Sequence, residues 1–198
     1  MNVAVPLALR AALVALPAVL IALAGLAHPV FLTPDTADRW RLVHLVLLPA
    51  FPLLAGSLLY LLRAARGPVA WVARVGAFGY AVLYGALDAI AGIGAAAQVQ
   101  ERGRAAPIGD LFGAGDQLGH LGVVALAVAL ALTGFLLWWA SHSNLALLGG
   151  AIAVASCWGF YRHHVFAPRG VLALLGIGLG LLLLALAEDS RKVVQAPS

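Results

Sequence analysis

Six apolar stretches divide the chain, running from about 11 to 27, 42 to 62, 69 to 99, 118 to 140, 145 to 161 and 171 to 187. Each is near or above the ~20 residues that carry a helix across ~30 Å of hydrocarbon. Polar residues collect in the short breaks between them. Lipid admits only helices and closed barrels, and the ten-residue alternation of a barrel strand is absent. The pattern predicts an all-α polytopic membrane protein. It has one domain of six transmembrane helices in a compact bundle over 1–190, and a short polar C-terminal tail over 188–198.

Composition agrees. Of 198 residues, 63% are hydrophobic and 10% are charged, where soluble domains are about half apolar and about a quarter charged. The expected partner is the lipid bilayer. The net charge of +4 does not point to nucleic acid, because the arginines stand singly at the ends of apolar runs rather than in a stripe. Abundant Ala, Leu and Gly with a single lysine, Lys192, suit a GC-rich bacterial genome. The first apolar run is read as a span, since Pro17 interrupts it and five more follow.

Pro49 and Pro52 are expected to kink the second span. Gly176 with Gly180, and Ala81 with Gly85, have the small-xxx-small spacing of close helix packing. They offer intramolecular contacts or a face for a homo-oligomer or another membrane partner. Trp40, Trp71, Trp138, Trp139 and Trp158 all fall near span ends, where an aromatic belt is expected. Six basic residues lie on each side, so their count does not orient the chain. The compact group Arg63, Arg66 and Arg74 places the second loop, and with it both termini, in the cytoplasm of a cell-membrane protein.

Candidate chemistry is sparse. Among the histidines, His28, His44, His120, His163 and His164 fall on one membrane face and His142 on the other. His44 and His120 sit one turn inside two different spans. With His163 and His164 they are candidate ligands for a metal ion or a haem. His28, beside Pro29, reads as a loop residue. Asp116 suits a helix N-terminus, and alternatively could pair with His120 four residues on.

Asp88 is the most specific signal. A carboxylate inside hydrocarbon costs at least ~2.5–3.5 kcal/mol by insertion scales, so it must pair, face water or be neutralised. Tyr84 and Tyr80 precede it on the same helix side. Asp88 and Tyr84 are therefore the candidate catalytic residues. One alternative has Asp88 as the proton site of a small-solute transporter. Another has it neutralised by Tyr84, or by Ser57 and Tyr60, in a non-catalytic scaffold. No dinucleotide fingerprint, Walker loop, H-E-x-x-H or C-x-x-C motif is present.

Overall fold

The computed structural model describes residues 6–194, with side chains as far as Glu188. Helix α1 spans Leu7–Ala27 and α2 spans Ala37–Leu61. Helix α3, Pro68–Leu87, opens with proline at its first position, after Gly67 at φ 94°. It passes without a break into a π-helical turn, Asp88–Gly94, and then α4, Ala95–Arg102. After a short 3₁₀ turn come α5 (Gly109–Ser141), α6 (Asn144–His163) and α7 (Arg169–Val194). Six helical segments are long and apolar enough to cross a membrane, with the α3–α4 stretch counting as one. The described residues contain no strand.

The spans form a closed ring. Helix α1 packs on α2, α2 on α3, α3 on α5, α5 on α6, α6 on α7, and α7 on α1. Each helix turns one stripe inward. In α1 the buried residues Ala11, Val14, Ala18, Ile21 and Gly25 recur at three- and four-residue spacing, whereas Leu9, Leu13, Leu16, Leu20 and Leu23 remain exposed. A water-soluble protein could not leave so much apolar surface uncovered. Facing lipid, it needs no cover.

Small residues set how closely the helices approach. A Cβ at Gly149 would lie 2.8 Å from Gly180 O, and one at Gly180 would lie 2.6 Å from Gly149 O. Gly176 makes room for Ser156. The Gly176 and Gly180 spacing therefore serves the α6–α7 contact inside the chain.

Several boundaries lie outside the apolar runs. Helix α5 begins at Gly109 rather than near 118, because hydropathy marks the lipid-crossing stretch and the helix continues beyond it. Asp116 is consequently inside α5 and caps nothing. The polar tail anticipated from 188 is helical as far as Val194, and residues 195–198 lie outside the described residues. Glu188 itself is buried, 2.6 Å from Arg63 Nη2, tying α7 to the end of α2. Helix α2 runs unbroken through Pro49 and Pro52.

Gly149→Val should lower the thermal unfolding midpoint in detergent, with a loss of about 1–3 kcal/mol from overpacking. An unchanged midpoint would contradict the packing assigned to α6 and α7.

Candidate functional site

His28 ends α1 and His44 lies in the second turn of α2. Both rings are buried, and their Nε2 atoms lie 3.4 Å apart. Each ring is held from behind. His28 Nδ1 donates to Pro29 O at 2.7 Å, and His44 Nδ1 donates to Trp40 O at 2.8 Å. A carbonyl oxygen only accepts, so the hydrogen of each neutral ring sits on Nδ1. Each Nε2 then presents a lone pair, and the two lone pairs face one another.

Asp88 opens the π turn beside them. Its Oδ1 is 3.9 Å from His44 Nε2, and its side chain is 1% exposed. Neither carboxylate oxygen has a hydrogen-bond partner. Two imidazole nitrogens and a buried carboxyl group thus meet in one place, and neither carboxyl oxygen is satisfied as buried polar groups normally are.

Local structure explains the placement. The π turn carries Gly92 against α2, and a Cβ there would overlap the His44 ring. The indole N–H of Trp40 donates to Ala91 O at 3.3 Å, which pins the π turn to α2. Trp40 stacks on His44 with ring centroids 5.2 Å apart and meets His28 edge-on at 4.5 Å. Phe166, from the α6–α7 connection, closes the far side of His28 at 4.6 Å. Arg39 Nε donates to Ala27 O at 2.8 Å and covers the carbonyl end of α1 next to His28.

His28, Trp40, His44, Asp88 and Phe166 line a cavity of about 70 Å³, together with Tyr84, Asp116, His164 and apolar side chains including Phe51 and Leu87. Tyr84 is buried, and its hydroxyl is 3.1 Å from His164 Nδ1. His164 Nε2 is 3.5 Å from Asp116 Oδ1. His120 does not line the cavity. It stacks on Tyr161 at 4.1 Å and on His164 at 5.7 Å. His163 is not a lining residue either.

Of the expected residues, Asp88, Tyr84, His44 and His164 therefore gather in one cavity, whereas His120 and His163 stand outside it. Asp116 meets His164 instead of His120. Ser57 bonds Leu53 O and Tyr60 lies beside Arg63, so neither neutralises Asp88. Two contributors escaped the sequence reading. His28 does lie just past the end of α1, as its place beside Pro29 suggests, but its ring is buried against His44. Trp40 stands at a span end, where an interfacial anchor is expected, but it is 4% exposed and packs on both imidazoles. Trp71, Trp139 and Trp158 do face outward.

Among the described residues, no three His, Cys, Asp or Glu side chains already stand at metal-ligand geometry. His28 and His44 approach through their Nε2 atoms, and Asp88 Oδ1 lies 3.9 Å from His44 Nε2. No protein-family description, curated protein or solved structure matches the chain.

Burial depresses His28 from 6.5 to about 4, more than its bond to Pro29 restores, with His44 and Arg39 opposing protonation further. Burial also lowers His164, against the pull of Asp116. The unfolded chain therefore takes up protons below about pH 6.5, while folded His28 does so only near pH 4. Stability should fall as pH drops through that window and level off below it. Denaturant titrations in detergent with chelator present should show this decline, and His28→Gln should reduce its slope. An identical slope would contradict the burial assigned to His28.

Proposed function

We propose that the protein is an integral membrane metal-binding protein. Its ligands are His28 Nε2, His44 Nε2 and a carboxylate oxygen of Asp88. The observation that carries this reading is the facing pair of Nε2 lone pairs, each ring anchored through Nδ1–H to a backbone carbonyl. A hydrogen bond from Nδ1 to a carbonyl is the usual outer support of a metal-bound imidazole, because it sets both the tautomer and the ring orientation. Two nitrogens on a tetrahedral zinc at 2.0–2.1 Å stand about 3.3–3.4 Å apart, close to the observed 3.4 Å. A divalent ion would also supply the positive charge that Asp88 lacks, at a depth where an unpaired carboxylate is costly.

Two imidazoles and one carboxylate suit zinc or another first-row divalent ion more than calcium or magnesium, which prefer all-oxygen shells. Three protein ligands leave a fourth position facing the cavity, the arrangement of sites that handle a bound water or a small ligand. A cavity of about 70 Å³ holds an ion and a few waters. It does not hold a tetrapyrrole, so haem has no part in the proposal. The site lies at the bundle end opposite the termini. With the termini in the cytoplasm, it would meet metal from outside.

Purified protein loaded with zinc or cobalt and freed of excess should retain one equivalent per chain by elemental analysis. His28→Ala, His44→Ala and Asp88→Asn should each weaken binding about 100-fold or more, whereas His120→Ala and His163→Ala should bind normally. Equal retention by all five variants, or no retention by the wild type, would rule the site out.

A further inference from the structure

A second line of polar side chains leads into the same cavity and shares no residue with the three proposed ligands. Its inner end is Tyr84, 1% exposed, with its ring packed against Phe51 at 4.5 Å and Phe160 at 4.8 Å. Its outer end is Asp116, whose side chain is 55% exposed. The His164 ring bridges the two, at 3.1 Å from the phenol and 3.5 Å from the carboxylate.

The contacts have a direction. An ionised carboxylate only accepts, so the hydrogen of neutral His164 faces Asp116 from Nε2. Nδ1 is then bare and accepts the Tyr84 hydroxyl. Phenol, imidazole and carboxylate follow one another as nucleophile, base and orienting acid do in a triad. His120 and His163, the other titratable groups near the ring, oppose its protonation while Asp116 favours it.

The backbone holds His164 there at a cost. Its φ of 47° and ψ of −132° lie in a region that L-residues seldom adopt. Gly170 permits the turn, since a side chain there would overlap His164 O. Strain of this kind persists where the surroundings over-determine a conformation, and it clusters at working sites.

We propose that Tyr84, His164 and Asp116 form a proton-transfer arm between the cavity and the aqueous edge, with Tyr84 Oη the group that exchanges a proton with a molecule bound inside. In the outward direction a cavity proton joins Tyr84 Oη as the hydroxyl's own proton moves to His164 Nδ1. The Nε2 proton then passes to Asp116, which gives it to water. One proton leaves, Tyr84 is again a neutral phenol, and no electrons move. His164 is left as the Nδ1–H tautomer, which is the form that returns a proton inward. The arm thus suits a ligand or substrate that gains and loses a proton in the cavity, and it stands whether or not a metal binds.

Infrared-monitored exchange of the Tyr84 hydroxyl after transfer of the whole protein into D₂O tests this, with the Tyr84→Phe spectrum assigning the band. Asp116→Asn and His164→Phe should slow the exchange at least about tenfold, and Asp116→Glu should restore it. Asp116 is exposed, so Asp116→Asn should fold normally and decides the matter by itself if His164→Phe does not fold. Wild-type exchange rates in Asp116→Asn, or no exchange in the wild type, would overturn the arm.

Discussion

Two neutral imidazoles turn their lone pairs toward each other beside a buried carboxyl group without a hydrogen-bond partner. That arrangement is unfavourable in itself. Facing lone pairs repel, and buried polar groups without a hydrogen-bond partner are costly. The protein nevertheless holds His28 and His44 in place with two backbone hydrogen bonds, an indole stack and a phenylalanine. Structure invested against the local energy gradient is the physical reason to look for a ligand that reverses the sign.

The ring of helices supplies the site from several directions. Helix α1 ends in His28, α2 provides His44 and Trp40, the π turn provides Asp88, α5 provides Asp116, and the turn after α6 provides His164. The π turn is the pivotal departure from regular geometry. Wide turns of this type occur often at functional sites, and here one begins at the buried carboxylate and places Gly92 under the His44 ring. Close helix approaches elsewhere, such as Gly149 against Gly180, hold the surrounding elements in position.

The spans were legible because a membrane makes one demand, a long apolar run, and hydropathy records it directly. Asp88 was legible for the converse reason: charge is expensive there, so one acid stands out. Tyr84 followed from helical spacing alone. His28 was not legible, because its partner lies 16 residues away across a loop, and only the folded chain shows that the two helix ends meet. Trp40 has the sequence position of a lipid anchor, and only its orientation tells otherwise. His120 and His163 share the right membrane face, but a face is a broad surface and the cavity takes up a small part of it. The π turn left no clear trace, since its Gly and Ala residues also suit ordinary close packing.

The most direct test of the account is X-ray absorption spectroscopy of the zinc-loaded protein at the metal edge. The spectrum should show a four-coordinate shell with two imidazole nitrogens at about 2.0–2.1 Å and oxygen ligands completing it, including the outer-ring scattering that identifies imidazole. A shell of oxygens alone, or one with a single imidazole, would contradict it.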